Sequence, residues 1–567
     1  MNVQLAIVLV YLLAMFAVGL LFHRQSRASS LEYLLAGRRL GRLLLFFTMA
    51  ATNFSAFTIF GLSGAGYRIG YAFFPVMGFG TGFMALAFWL IGSRISALAG
   101  PRGYLSPADF VLDRYGSPAL KICFSLLMIV LTLPYVAIQA ISAGRSLQAM
   151  AGLPYWAGAA LVMGFTMLYV ALGGMRSVAW TDLVQALMIV LLTMAGFALI
   201  AVKSGGFIRA ATELQARDPQ LFSRPGLDGS MTPGIWLGYM LLWLFADPMF
   251  PQLFHRFLAA RSPRTLKTTV VLYPLITTFL FFLTVSIGVM GRFTFPGLSA
   301  GQSESIYPLL LARFASPVLS TLLLTGGLAA LMSTLDSQLL TLSSMVSLDF
   351  GARALRSVPA QKLLVVLIGA LGFLLALRPP QTILDFINRT SFTGLAVLAP
   401  VVVGGLYWKK ANSLGALAGI LSGEALVVLS FLGIVKTPGV LPVVPALALT
   451  IVVFASVSLL TPSAAAVAAR PVPASPPARP PADAPAGIAL VAPVRRPSGR
   501  GWLPWLVFAA IFFLGNDFWA WGRRPILLAG LPLWVWYYIL LGLALSAAYR
   551  LLLRPEGKDS MRKGGDF

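Results

Sequence analysis

Residues 325–350 read TGGLAALMSTLDSQLLTLSSMVSLDF, a stretch of membrane length and apolar character that carries many hydroxyls. At about 100° per residue, Ala330, Ser333, Thr334, Ser337, Thr341 and Ser344 fall on one stripe of a helix. Asp336 lies beside that stripe. A carboxylate at such depth is costly in hydrocarbon, so it must face protein, water or a cation. Two readings fit: small and hydroxyl residues let helices approach closely, or the stripe lines a cation site. So many oxygen-bearing positions with an acid alongside favour the second.

The rest of the chain is apolar on the same scale. Of 567 residues, 58% are hydrophobic and 11% charged, which excludes an ordinary soluble protein. Apolar runs of bilayer length predict about fifteen transmembrane helices. They fall near 3–22, 43–66, 71–97, 118–150, 155–172, 178–203, 234–251, 268–293, 316–348, 361–378, 382–407, 413–434, 441–461, 502–521 and 530–550. The net charge of +24 is distributed as a topology signal, not as a nucleic-acid surface. With Met1 outside, most of the 42 Lys and Arg fall on the cytoplasmic side, including the clusters Arg24 to Arg42, Arg256 to Lys267, Arg353 to Lys362 and Arg470 to Arg500. An external N-terminus and a cytoplasmic C-terminus in the cell (inner) membrane follow as the expectation.

Several chemistries have no residues to carry them. The first span has no basic stretch before it and no small-residue cleavage site, and reads as a retained helix. The single cysteine, Cys123, excludes an internal disulfide and a cysteine metal cluster. His23 and His255 are the only histidines and sit in basic segments read as cytoplasmic, so no catalytic triad or zinc set can be assembled in the membrane. The expectation is a protein that is not an enzyme, has no organic cofactor and binds no nucleic acid.

The second span contains MAATNFSAFTIFGLSGAG at 49–66, with Thr52, Asn53 and Ser55 at its middle, then Gly61, Gly64 and Gly66. It reads either as a glycine packing face or as a discontinuous helix whose unwound backbone binds ion and solute. Five spans later comes WLFADPMFPQLFHRF at 243–257, where Asp247, Pro248 and Pro251 interrupt an apolar run near its expected cytoplasmic end. Breaks in corresponding positions of two halves are the mark of an inverted-repeat transporter. Asp247 reads equally as a helix terminator and as part of the transport path.

Between these, LPYVAIQAISAG places Tyr135 and Gln139 one turn apart on one face, either lining a pocket or bonded to a neighbouring helix. In TILDFINRTSFTGLAVLAP, Asp385 and Arg389 are spaced to pair with each other, or Arg389 or Asn388 faces the solute path and binds a carboxylate. The segment 205–232 reads as solvated and external, and SESIYPLLLARF at 303–314 as an outer flap.

These motifs resemble the sodium:solute symporter family, whose members carry solutes such as proline, pantothenate, sialic acid and glucose. The likeness spans roughly residues 3–461 and rests on AALMSTLDSQLLTLSSMVSLDF, on LAGR in SSLEYLLAGRRLGR, on ALGGMRSVAWTDLVQALMIV and on GLYWKKANSLGALAGILSG. It implies an all-α polytopic membrane protein with a LeuT-type core of two inverted five-helix repeats. It implies a sodium site made of the backbone oxygens of Ala51, Phe54 and Ala330 with the hydroxyls of Ser333 and Thr334. It places Asn53 and Ser55 around the solute and the Tyr135/Gln139 face in the pocket or its outer gate; Arg389 is the further solute-binding candidate. In members that bind a second sodium, an aspartate matching Asp182 acts with hydroxyls one turn below the first site, here Ser333, Asp336 and Ser337. Those members have a hydroxyl where this chain has Asp336. A second sodium, a proton and a structural hydrogen bond therefore stay open there.

The organisation expected is an extra span and connector at 1–42, a ten-helix core at 43–407, two scaffold spans at 408–461, a disordered Pro/Ala/Arg-rich linker at 462–500 and a two-helix appendage at 501–567. The appendage would dock a membrane partner or a second copy. The functional expectation is sodium-coupled import of a small polar organic solute by alternating access, with a monocarboxylate or amino acid favoured over a sugar. The alternatives are proton coupling and a solute sensor built on a symporter-like domain. A channel or membrane enzyme lacks a charged pore ring or a catalytic group.

Overall fold

The computed structural model describes residues 3–26, 29–351, 353–378, 391–461 and 503–553. Asp385, Asn388, Arg389 and the linker 462–500 lie outside the described residues. Among the described residues, ten helices are long and apolar enough to cross a membrane, or eleven if the bent pair Arg42–Asn53 and Phe57–Ile69 is one span. The count of about fifteen is not reproduced, for two reasons. Two expected spans form one continuous helix, Tyr155–Lys203, interrupted only by a kink at Gly174 (φ 60°, ψ −157°). Of three others, Pro233–Ala246 is only 14 residues long, and the expected spans 382–407 and 502–521 lie partly outside the described residues, which hold Phe392–Tyr407 and Leu503–Gly515 of them. Gly174 is required at its kink twice over, by its positive φ and because a Cβ there would lie 2.4 Å from the Tyr33 carbonyl oxygen.

The two breaks seen in the sequence are both structural. In the first, the helix Arg42–Asn53 stops, Phe54 turns to φ −82° and ψ 95°, and the chain resumes through a π-type turn at Phe57–Gly61 into Leu62–Ile69, bent by 59° from its first half. In the second, Pro233–Ala246 passes through a tight turn at Asp247–Met249 and an extended Phe250 into a further helix, Pro251–Ala259. The prolines at 248 and 251 supply no backbone N–H, so the helical ladder cannot run through. This second break is interior, not at the cytoplasmic end of a span, because every residue of Pro251–Ala259 is buried. The glycines of the first broken span, Leu62–Ile69, also pack tightly. A Cβ on Gly66 would lie 2.3 Å from the Val285 oxygen, and one on Gly288 would lie 2.0 Å from that of Ser63. The glycine packing face and the discontinuous helix are therefore both present, in different halves of that span.

The hydroxyl-rich helix, Pro317–Met345, is buried along its length from Leu323 and runs against Tyr155–Lys203, Pro118–Ala151 and Arg42–Asn53. The segment 205–232 is less exposed than its polarity suggests. It contains the helix Phe207–Arg217, Leu221 and Phe222 are fully buried, and Arg224 forms a buried ion pair with Asp517. That pair ties it to the C-terminal appendage, whose helix Leu533–Leu552 lies on Phe74–Ala87 and Leu266–Thr294. The Tyr549 hydroxyl donates to the Phe83 oxygen at 2.8 Å, Ser546 Oγ to Val271 at 2.7 Å and Trp534 Nε1 to Phe222 at 3.0 Å. One face of the appendage is thus used on its own chain.

Candidate ion and solute site

The first break meets the hydroxyl-rich helix at its middle. Because the ladder stops at Phe54, carbonyls just before it are released from helical bonding. Ser333 Oγ donates to the Ala51 oxygen at 2.9 Å and lies 3.0 Å from the Ala330 oxygen. Thr334 Oγ1 is 3.0 Å from the Thr52 oxygen, 3.3 Å from that of Ala330 and 3.5 Å from that of Phe54. The structure therefore brings Ala51, Phe54, Ala330, Ser333 and Thr334 together in one cluster of uncharged oxygens, with Thr52 as an added member. A hard cation with contacts of about 2.4 Å holds neighbouring ligand oxygens roughly 3.4 Å apart. The spacings are of that order, and the donor set is of the right chemistry for such an ion.

On the other side of Phe54, the two breaks touch. Asn53 Nδ2 donates to Asp247 Oδ2 at 3.1 Å and is also hydrogen-bonded to the Tyr273 hydroxyl. Gln139 Oε1 accepts from the Ala56 amide at 3.2 Å, and Ser55 Oγ from the Phe57 amide at 3.2 Å. Tyr135 stands one turn from Gln139, whose Nε2 donates to the Tyr135 oxygen at 3.3 Å. Aromatic rings wall this region: Tyr135 is 5.1 Å from Phe392 and 5.7 Å from Phe250, and Trp243 is 5.6 Å from Phe392 and 5.9 Å from Phe57. Asn53, Ser55, Tyr135 and Gln139 thus share one neighbourhood, and Arg389 lies outside the described residues. Above it, Arg145 and Glu304 form an ion pair at 3.1 Å. The expected flap carries that glutamate.

One turn below the neutral oxygens lies a charged layer. Asp182 Oδ2 accepts from Thr48 Oγ1 at 2.5 Å and from Arg256 Nη2 at 3.2 Å. Ser337 Oγ is 3.0 Å from Thr52 Oγ1, 2.9 Å from the Ser333 oxygen and 3.0 Å from Asp336 Oδ1, and it accepts a further bond from Arg256 Nη2. Asp336 Oδ2 accepts from the Tyr169 hydroxyl at 2.7 Å. Asp182, Ser333, Asp336 and Ser337 are therefore adjacent, all fully buried.

Arg256 corrects the sequence reading. Counted there in a cytoplasmic cluster with Lys267, it is fully buried, as is His255, which lies 3.3 Å from Thr341 Oγ1. Sequence reasoning also passed over Thr48, Tyr169 and Tyr273, and it named Thr52 without giving it a place in the site. The signal for Arg256 was present: Asp182 and Asp336 required a basic partner within the membrane. Asp247 was seen but placed too near the surface. Tyr169 and Tyr273 are lone aromatics in apolar runs and carry no signal.

Two discontinuous helices that meet at their breaks, with carbonyl oxygens of the first facing the hydroxyls of a third helix, are the architecture of a multi-pass membrane transporter. Residues 33–423 match the model of the sodium:solute symporter family, and the chain belongs to that family. The sodium/pantothenate symporter of Escherichia coli (strain K12) is 28% identical over 459 residues, covering 78% of this chain and 94% of that protein. The osmoregulated proline transporter OpuE of Bacillus subtilis (strain 168) is 27% identical over 488 residues, covering 81% and 96%. Among solved structures, a Na+-coupled sialic acid symporter in a substrate-bound, outward-open state has a TM-score of 0.68 at 19% identity, covering 82% of this chain and 98% of its own. A nucleobase-cation-symport-1 family transporter in a closed conformation has a TM-score of 0.54 at 13% identity, covering 78% and 97%. These likenesses show the fold, which is of the LeuT type.

Proposed function

We propose that this protein is a sodium-coupled symporter that imports a small polar organic solute across the cell membrane by alternating access. The observation that carries the reading is the convergence of Ser333 Oγ and Thr334 Oγ1 on the carbonyls of Ala51, Thr52 and Phe54. In this reading Ala51, Phe54, Ala330, Ser333 and Thr334 hold sodium, and the ion replaces the hydrogen bonds those oxygens now make to one another. The ion thereby ties the broken span to the hydroxyl-rich helix, and its loss frees them to move apart.

The energetics suffice. One charge moved through 100 mV contributes about 2.3 kcal/mol, and a tenfold sodium gradient about 1.4 kcal/mol. The sum is enough for several-hundred-fold accumulation of a neutral solute. The N-terminus is assigned outside and the C-terminus inside from the remaining Lys and Arg bias.

For the solute we propose a monocarboxylate or an amino acid, held by Asn53, Ser55, Tyr135 and Gln139 within the aromatic wall. Relatives are named for pantothenate, a monocarboxylate, and for proline, an amino acid. The Asp247 carboxylate beside Asn53 is an acceptor suited to an ammonium group and tips the choice towards an amino acid. The test is uptake into proteoliposomes of a panel of amino acids, monocarboxylates and sugars under an inward sodium gradient. Uptake of an amino acid or monocarboxylate that collapses in the Ser333→Ala/Thr334→Ala protein is expected. Uptake confined to neutral sugars would overturn the solute assignment, and uptake independent of sodium would overturn the coupling.

A further inference from the structure

We infer that the Arg256 guanidinium is a tethered cation that occupies the second cation position of this transporter, so that one sodium ion binds per protein molecule. The inference rests on the sodium reading proposed above and fixes its stoichiometry.

The residues available to a second ion are Asp182, Ser333, Asp336 and Ser337, and Arg256 already engages two of them. Its Nη2 is 3.2 Å from Asp182 Oδ2, is bonded to Ser337 Oγ and lies 3.3 Å from Thr48 Oγ1. Its Nε is also 3.3 Å from Thr48 Oγ1, and its Nη1 donates to the Gln252 oxygen at 3.2 Å. The guanidinium therefore faces oxygens on four elements: Arg42–Asn53, Pro251–Ala259, Tyr155–Lys203 and Pro317–Met345. That is the coordination an ion would have, made with N–H donors in its place.

Asp336 Oδ2 accepts from Tyr169 and Oδ1 from Ser337, the hydroxyl that Arg256 already engages, so an ion held between Asp336 and Ser337 would lie against the guanidinium. Asp182 Oδ1 is buried with no hydrogen-bond partner, but a single oxygen is far short of the several that a hard cation requires. A second sodium would also have to approach a guanidinium that never loses its proton, and like charges at contact distance repel strongly where water is absent. Because Arg256 sits on Pro251–Ala259, the half-helix beyond the second break, the tethered charge also ties that half-helix to Tyr155–Lys203 through Asp182 and to the hydroxyl-rich helix through Ser337.

Equilibrium binding of radioactive sodium to the purified full-length protein tests this without knowledge of the solute. One site per molecule is expected for the wild type, still one for Asp182→Asn, and two for Arg256→Gln, whose vacated oxygens become available. Two sites in the wild type, falling to one in Asp182→Asn, would overturn the inference, as would a monodisperse Arg256→Gln protein that still binds one. If Arg256→Gln does not fold, the counts for wild type and Asp182→Asn decide alone. No site in the wild type would reject the sodium reading itself and the stoichiometry with it, a result distinct from either count.

Discussion

Two layers one helical turn apart differ in kind. The upper layer, at Ala51, Phe54, Ala330, Ser333 and Thr334, is made of uncharged oxygens that hydrogen-bond to one another. The lower is made of the Asp182–Arg256 ion pair and the Asp336 carboxyl group beside it, held by Thr48, Tyr169 and Ser337. Neutral dipoles can accept an ion and release it at modest cost, which a transport cycle demands. Buried full charges cannot be left unpaired. In the proposed reading the lower layer is a permanent part of the core, and the upper is the exchangeable one.

The sharpest way to break this contrast is to remove one partner of the charged layer. Arg256→Ala leaves the buried Asp182 carboxylate without its base and should destabilise the protein by about 3–5 kcal/mol, read as a fall in thermal midpoint. A charge-neutral double variant, Asp182→Asn/Arg256→Gln, should lose much less than the sum of the two single variants. Additive losses would show that the pair is not coupled. Next in size is a purely steric change away from both layers. Gly288→Ala puts a methyl 2.0 Å from the Ser63 oxygen and should cost about 1–3 kcal/mol through overpacking. Its sodium-dependent stabilisation should be unchanged. Asp247→Asn should act on the solute side alone, lowering apparent solute affinity by about tenfold, or about 1.4 kcal/mol, with sodium binding retained. Loss of sodium binding in that variant would merge two sites that the geometry keeps apart.

The same contrast explains what was legible in the sequence. The neutral layer stood out because Ser333, Thr334, Ser337 and Thr341 repeat with helical period, and because Asn53 and Ser55 interrupt an apolar run where a continuous helix would exclude them. The placement of Tyr135 and Gln139 on one face followed from their one-turn spacing. The charged layer was half legible. Asp182 and Asp336 were visible as acids at depth, but Arg256 was hidden in a run of basic residues. Arg261 and Arg264, a few positions on, are exposed while Arg256 is fully buried. That boundary is set by Pro251–Ala259 folding back into the core. A nine-residue half-helix is too short to register as a span. The same shortness put the second break too near the surface and made the span count soft. In the segment 205–232, Arg224 read as solvated because its partner Asp517 is almost three hundred residues away.

The most direct measurement is the thermal stability of the purified protein in sodium against potassium at fixed ionic strength, for wild type and for Ser333→Ala/Thr334→Ala. An ion that binds only the folded state at tenfold excess over its Kd adds about 1.4 kcal/mol. The account predicts that gain for the wild type in sodium alone and its loss in the double variant. Equal stability of the wild type in both salts, or a sodium gain that survives in the double variant, would contradict it.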